Sequence, residues 1–162
     1  LSNYQDVIET LGIPKVTLKP WTSKAFAKAC DLMEVSATSE AQSEFLRYSG
    51  GWHSFVSQIF QSDRSVEECC ADIKKSLSDS SFKNQVILDA GIDNAERHAL
   101  CKFILENGPI REEDIFIQDL LEEIPEERRR LILRELEILG VVRVRSDAQI
   151  VLNSLIQLCL TA

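Results

Sequence analysis

Glycine and proline divide the chain between residues 94 and 140 into three segments, each with apolar residues at helical spacing. The first helix is predicted to begin at a cap on Asp93 or Asn94 and to end at residues 107–109, which read Asn-Gly-Pro. The second helix lies in the segment REEDIFIQDLLEEI, and Pro125 suits the first turn of the third helix, which ends at Gly140. Three short helices in succession are therefore expected.

Two apolar runs follow the third helix, with a polar tip between them. VVRVR alternates apolar and basic side chains, SDA is the tip, and QIVL is the second run, so this stretch predicts a hairpin of two strands. NSLIQLCL then predicts a final short helix. Because these independent local signals agree, residues 93–162 are predicted to form a winged-helix domain with a small β-hairpin wing. Winged helices serve as DNA readers, docking surfaces and spacers, so this fold alone defines no function.

The front of the chain, residues 1–92, predicts helices and almost no strand. A brief extended segment is expected at residues 14–20, because proline disfavours helix in the residue before it. Ser65 and Glu68 have the spacing of a capping box. The predicted helices end near Gly12, Met33, Gly50, Phe60, Leu77 and Gly91. The fold class is thus mainly α, with a helical bundle over 1–92 followed by the winged-helix domain over 93–162.

Charge and hydropathy argue against several functions. With 26 acidic and 18 basic side chains the net charge is −8, which repels nucleic acid at long range and confines any DNA contact to a local surface. No apolar run approaches the roughly 20 residues that cross a bilayer, so no membrane partner is expected. The first residues lack an initiator Met and the pattern of a signal peptide. We therefore expect the chain to be a piece of a longer protein.

The cysteines are predicted to be buried small side chains. There are five of them, an odd number without the paired spacing of a zinc site. Free cysteine is among the most buried residue types. This pattern favours a reducing, cytoplasmic setting and no metal. The five are Cys30, Cys69, Cys70, Cys101 and Cys159.

Three parts of the chain resemble the region that follows the nucleotide-binding core in STAND-class ATPases of the AAA+ group, including archaeal-type ATPases. VTLKPW followed by TSKAFAKA resembles the start of that family's helical lid, and RYSGGWHSFVSQIF resembles its glycine-glycine-His-Pro segment with the apolar helix after it. LRELEILGVV, the hairpin and IVLNSLIQLCL resemble its terminal winged helix. The family pattern has proline in this segment, whereas here Trp52 and His53 follow Gly51.

This resemblance implies a regulatory fragment without catalytic residues of its own. The ATPase core, with ATP and Mg as its cofactors, would precede Leu1 and would be the fragment's principal partner. The resemblance places the turn of Gly50, Gly51, Trp52 and His53 near the nucleotide. No G-x-x-x-x-G-K-[ST] phosphate loop occurs in these 162 residues, so we predict that the fragment holds no cofactor or metal itself and is not an enzyme.

His53 is the best candidate for a nucleotide-sensing contact, since imidazole forms hydrogen bonds and changes charge near neutral pH. The alternative is a plain residue at a helix N-terminus in a crevice. His98 has no Cys, Asp or His at metal spacing and is expected to be an ordinary helical histidine.

Six arginines form the one concentrated basic stretch, a candidate contact for nucleic acid or a protein partner. They belong to the predicted third helix, the element that enters the major groove in helix-turn-helix proteins, and to the wing. Glutamates crowd the same region: residues 94–162 hold 9 basic and 13 acidic side chains, a net of −4. A solvated helix with Glu/Arg pairs at helical spacing is therefore the alternative. The six are Arg128, Arg129, Arg130, Arg134, Arg143 and Arg145.

Two other function classes remain open from the sequence. One is a winged-helix transcriptional regulator that binds DNA, whose front bundle senses a ligand or dimerises. The other is a protein-interaction scaffold that uses neither ATP nor DNA. Charge reversal to Glu at Arg128–Arg130 and Arg143 separates the DNA-binding regulator from the ATPase fragment, because it would abolish DNA retention in the regulator and leave coupling to the ATP core largely intact in the fragment.

Overall fold

The computed structural model describes residues 19–117 and 124–161 of the chain. The predicted helix over residues 1–12 and most of the predicted extended segment lie outside this range, as do residues 118–123 of the predicted second winged-helix helix. Within the described ranges the elements are α1 Ser23–Leu32, α2 Ser39–Ser49, α3 His53–Gln61, α4 Val66–Ser76, α5 Ser80–Asp89, α6 Ala95–Asn107, β1 Ile110–Arg111, α7 Glu112–Ile117, α8 Glu126–Ile138, β2 Val142–Val144, β3 Gln149–Leu152 and α9 Ser154–Leu160.

Polar caps account for where several helices begin. The Ser65 hydroxyl accepts from the amide of Glu68 at 3.1 Å, and the Glu68 carboxylate accepts from the amide of Ser65 at 2.9 Å, which confirms the predicted capping box. Helix α6 is capped by Asn94, not by Asp93, since the Asn94 side chain accepts from the amide of Arg97 at 2.9 Å. Pro125 occupies the cap of α8, one position before the predicted first turn.

Helices α1 to α4 surround one hydrophobic cluster. Helix α2 packs against α1 and α4, and the rings of Phe26 and Phe45 stack with centroids 5.4 Å apart. Both phenylalanines are wholly buried, and each contributes about 1.5 to 3 kcal/mol of hydrophobic stabilisation. The buried members are Phe26, Cys30, Phe45, Val56, Ile59, Val66, Cys69, Cys70 and Ile73.

A second cluster joins the C-terminal helices to a small sheet. The strand order is β1-β3-β2 and both pairings are antiparallel, so the predicted hairpin of VVRVR and QIVL is confirmed. Strand β1 was not predicted, because two residues carry no alternation to detect. Helix α6 and β3 pack together, as do α8 and β2. The described residues are therefore mainly helical with one small three-stranded antiparallel sheet.

The two clusters share side chains at their border. Phe55 and Leu77 pack against both clusters. Val86 and Ala90, from α5 and the residue after it, belong to the C-terminal cluster, and α9 packs against both α2 and α5. The predicted domain boundary between residues 92 and 93 stays a prediction.

The structure also shows the burial of the cysteines and the length and hydropathy of the helices. Cys30, Cys69, Cys70 and Cys101 are buried as predicted, and Cys159 is half-buried. Over residues 19–117 and 124–161, no helix is both long and apolar enough to cross a membrane.

Candidate functional site

The turn between α2 and α3 depends on its two glycines. Gly50 has φ +63° and Gly51 has φ +70°, a left-handed conformation that is costly for residues with a Cβ atom. The Ser49 hydroxyl, which is buried, accepts from the amide of Gly51 at 3.2 Å. Trp52 then occupies the cap of α3 without a side-chain cap bond, and His53 is its first residue. The turn lies where the sequence predicts it. The positive φ angles at both positions explain why glycine occupies each of them.

The carbonyl oxygen of Gly50 accepts two side-chain hydrogen bonds from the C-terminal part of the chain. Arg143 Nη2 and Asn153 Nδ2 each donate to it at 2.8 Å. The approach is close enough that a Cβ at Gly50 would lie 2.0 Å from Asn153 Oδ1. Only glycine therefore fits at this position while Asn153 stays where it is.

Trp21, just before α1, holds the same turn from the other side. Its amide donates to the carbonyl of Gly51 at 2.7 Å, and its indole Nε1 donates to His53 Nδ1 at 3.0 Å. The Trp21 and His53 rings meet edge to face with centroids 5.7 Å apart. Because Nδ1 accepts a hydrogen bond, the neutral His53 ring carries its proton on Nε2. His53 is exposed and can therefore offer this Nε2–H to an acceptor on a ligand.

A crevice of about 380 Å³ opens beside this turn. Its walls are mostly apolar, and His53, Ser54 and Asp89 supply the polar groups. An apolar cleft with a few converging polar groups is the usual form of a small-molecule site. The indole Nε1 of Trp52 is buried and has no hydrogen-bond partner within the described part of the chain. The lining residues are Pro20, Trp52, His53, Ser54, Phe55, Val86, Asp89, Ala90 and Leu139.

The arginines of α8 do not form a free basic face. Arg128 Nε donates to the Glu96 carboxylate at 2.8 Å, and Arg130 Nη2 pairs with Glu126 at 2.8 Å, one turn away. Arg129 is only 9% exposed and lies in the interior. Arg134 is exposed. The alternative of a helix with Glu/Arg pairs therefore describes α8 better than a continuous basic surface does.

The two wing arginines differ from each other. Arg143 turns inward to the Gly50 carbonyl and is half-buried, and this loss of water lowers the pKa of its guanidinium. Arg145 is exposed. The predicted patch of six arginines is thus divided, with Arg129 and Arg143 facing the interior.

Sequence reasoning missed Asn153 as a member of the site. Asn153 is 1% exposed, and its side chain caps α9 by accepting from the amide of Leu155 at 3.0 Å. The same side chain donates to the carbonyls of Gly50 and Gly140, at 2.8 and 3.1 Å. An asparagine between a strand and a helix is a local capping signal, but nothing local reveals its bond to a residue 103 positions earlier.

No protein-family model, curated protein or solved structure matches this chain. The described residues also contain no group of three or more His, Cys, Asp or Glu side chains arranged to hold a metal ion.

Proposed function

We propose that this chain is the regulatory helical lid and winged helix of a larger ATP-binding protein of the STAND/AAA+ type. In this proposal the turn Gly50–His53 senses the nucleotide bound by the ATPase core and passes its state to the C-terminal unit, which comprises α6 to α9 and the three strands. One observation carries the proposal: His53 lies at an open crevice on a turn that is hydrogen-bonded to both β2 and the start of α9.

The chemistry of His53 suits a sensing role. Its Nδ1 is engaged by Trp21, so its Nε2–H is the group left to meet a ligand. Phosphate oxygens and the ring nitrogens of a base are acceptors of the kind that such a donor recognises. A ligand contact there would pull on the Trp21 segment through the indole bond.

The order of elements supports the winged-helix part of the proposal. Helices α6, α7 and α8 precede the hairpin of β2 and β3, and β1 extends that hairpin to three strands. The mechanism is a hinge of the lid over the core, driven by differential contact with the two nucleotide states. Catalysis, with ATP and Mg, belongs to the core in this proposal, and the fragment supplies regulation.

The test uses the longer reading frame that contains these residues. We expect its product to bind a fluorescent ATP analogue. His53→Ala should weaken binding of one of the two nucleotides, ATP or ADP, by about tenfold, the value of one lost charge-assisted hydrogen bond, and weaken binding of the other by less. His98→Ala is the matched control, because His98 is an exposed histidine on α6.

Two results would count against the proposal. A longer product that binds no ATP would refute the lid assignment altogether. Binding that responds equally to the His53 and His98 substitutions would refute the sensing role of the turn and leave only the general architecture.

The DNA-binding alternative has less support from the contacts. Arg128 and Arg130 already pair with glutamates, and the net charge of −8 opposes a nucleic-acid partner. DNA binding would require Arg134 and Arg145 to carry most of the phosphate contact. Fluorescence anisotropy with a short duplex tests this: binding that weakens steeply with salt and is lost in Arg134→Glu with Arg145→Glu would establish it.

A protein partner is the second candidate. Among the described residues, five large apolar side chains are exposed: Leu32, Met33, Leu88, Leu131 and Val144. In the scaffold alternative these residues, and not the crevice, would carry the function.

A further inference from the structure

Three glycines lie where distant parts of the chain touch. A Cβ at Gly50 would lie 2.0 Å from Asn153 Oδ1, and a Cβ at Gly51 would lie 2.5 Å from the carbonyl oxygen of Trp21. At Gly140, between α8 and β2, a Cβ would lie 2.7 Å from Cγ of Pro20. The segment before α1, the turn after α2 and the start of the hairpin therefore meet in one tight seam, which we define by these three glycines.

Hydrogen bonds join the three segments across this seam. The Asn153 amide group bonds the carbonyls of Gly50 and Gly140, at 2.8 and 3.1 Å. The Trp21 amide bonds the carbonyl of Gly51 at 2.7 Å. The turn of Gly50 and Gly51 is thus bonded directly to Trp21, and Asn153 bridges this turn to the Gly140 segment. None of these contacts belongs to a regular helix or sheet.

Asn153 connects this seam directly to the helix that follows it. Its side-chain oxygen caps α9 through the amide of Leu155, and its own amide donates to the carbonyl of Val141 at 2.7 Å. Helix α9 in turn packs against α2, the helix that ends at Gly50. The side chain is almost wholly buried, so losing its donors would take this hydrogen bond from the Gly140 carbonyl and leave the Gly50 carbonyl with Arg143 alone.

Arg143 makes the second bond to the same carbonyl. It lies on β2 opposite Val151 of β3, and its guanidinium reaches Gly50 at 2.8 Å. Burial lowers the pKa of the Arg143 guanidinium, because the group loses contact with water where it reaches the Gly50 carbonyl. A charged donor that gives up water to reach one backbone carbonyl fixes the position of that carbonyl relative to the sheet.

We propose that Arg143 and Asn153 are positioning residues that act as a clasp on the Gly50 carbonyl and make the Gly50–His53 turn and the C-terminal unit move as one body. Through the bond between Trp21 and Gly51, the segment before α1 is coupled to this body. A displacement of Trp21 or His53 is then felt at β2 and α9, and a displacement of β2 is felt at Trp21. The inference goes beyond the proposed function, because the coupling exists whether or not any nucleotide binds.

The coupling is measurable in the 162-residue chain by amide hydrogen exchange. The amide of Trp21 is the probe, because it donates to Gly51 and lies far in sequence from the residues to be changed. In Arg143→Met we expect the Trp21 amide to exchange about tenfold faster, while amides of α4 keep their rates. Arg145→Met is the matched control, since it removes the same charge from an exposed position of the same wing.

Two further variants separate positioning from general stability. Asn153→Ser keeps an oxygen that can cap α9 but cannot reach both carbonyls, so it should also speed exchange at Trp21. Arg143→Lys retains a charged donor and should restore part of the protection. If Asn153→Ser does not fold, the two Arg143 variants and Arg145→Met still decide the question.

The reverse direction gives an independent check. Trp21→Phe keeps the backbone bond to Gly51 but removes the indole donor to His53, so it releases the His53 end of the turn, and the amides of Leu155 and Gln157 at the start of α9 should also exchange faster. The inference is overturned if Arg143→Met affects Trp21 no more than Arg145→Met does, or if exchange accelerates uniformly over the whole chain. No nucleotide is present in these experiments, so their outcome is separate from that of the ATP-binding test.

Discussion

Arg97 of α6 and Glu135 of α8 form an ion pair inside the C-terminal unit, with Arg97 Nη2 2.7 Å from Glu135 Oε2 and each side chain 10% exposed. Arg97 Nη1 also donates to the carbonyl of Gly91 at 2.7 Å. One guanidinium therefore joins the loop before α6 to α8. A charge so poorly hydrated is tolerated only while its partner is present.

Removing one partner of this pair should be costly. We expect Glu135→Ala to lower the free energy of unfolding by about 3 kcal/mol, because the buried Arg97 charge then keeps only the exposed carboxylate of Asp93, 3.6 Å away. Urea unfolding followed by circular dichroism measures the change. Glu126→Ala is the control: it breaks the exposed Arg130–Glu126 pair, which is worth about 0.3 to 0.5 kcal/mol.

Replacing both partners separates the energy of the ion pair itself from the cost of leaving one buried charge unpaired. The double variant Arg97→Met with Glu135→Leu should recover most of the lost stability, because apolar groups of similar size need no hydration. A double variant as unstable as Glu135→Ala would mean that the pair itself, and not the orphaned charge, supplies the stability.

Gly50→Ala should be far more damaging than an ordinary glycine substitution. The left-handed backbone costs about 1 to 2 kcal/mol for alanine, and the contact with Asn153 adds an overpacking cost of about 1 to 3 kcal/mol. Gly91→Ala is the control, because Gly91 has φ +70° but its added Cβ would meet only the ends of the Leu139 and Arg97 side chains, at 3.1 and 3.3 Å. Equal losses in the two variants, measured by urea unfolding, would contradict the close approach of Asn153.

Local signals in the sequence predicted the helix ends that local contacts make. The capping box of Ser65 and Glu68, the cap at Asn94 and the turn at Gly50 each depend on contacts between residues at most four positions apart. The local spacing of residue types therefore sufficed to predict where these helices begin or end. Strand β1 could not be predicted from the sequence, because its partner, β3, lies about forty residues later and its own two residues show no alternation of apolar and polar side chains.

Only the local part of the candidate site could be predicted from the sequence. Gly50 to His53 stood out as a turn, but its partners Trp21, Arg143 and Asn153 reach it through tertiary contacts that no spacing encodes. Arg143 lies within β2, whereas Arg145 follows the strand, which ends at Val144, so the strand period does not fix the direction of the Arg145 side chain. Only the position of the Gly50 carbonyl explains why one of the two turns inward.

The tip of the hairpin stores backbone strain at Ala148, which has φ +60°. Ala148→Gly should raise the free energy of unfolding by about 0.5 to 1 kcal/mol, the strain relieved less the extra entropy of glycine in the unfolded chain. Ser146→Gly is the control on the same turn, because Ser146 does not have a positive φ and should only lose stability. Thermal unfolding of both variants decides the sign, and a loss in Ala148→Gly would contradict the left-handed conformation.

Cys101 should make the free energy of unfolding fall as the pH rises into the alkaline range. It is wholly buried on α6, and burial raises the pKa of its thiol from 9.0 to about 12. In the unfolded chain the thiol ionises near its ordinary value, so the unfolded state loses its proton first. The stabilisation from the neutral thiol is therefore complete below about pH 9 and is lost as the pH rises towards about 12, with a slope of up to about 1.4 kcal/mol per pH unit.

Urea unfolding at about pH 8 and about pH 10 measures this slope. In Cys101→Ala the group that titrates is gone, so the loss of stability between the two pH values should be smaller than in the unchanged chain by about 1 kcal/mol. Ile104→Val is the control on the same helix, because it also removes buried volume but no ionisable group and should keep the original slope. Equal slopes in all three proteins would mean that the Cys101 thiol ionises alike in the folded and unfolded chains, contrary to its burial.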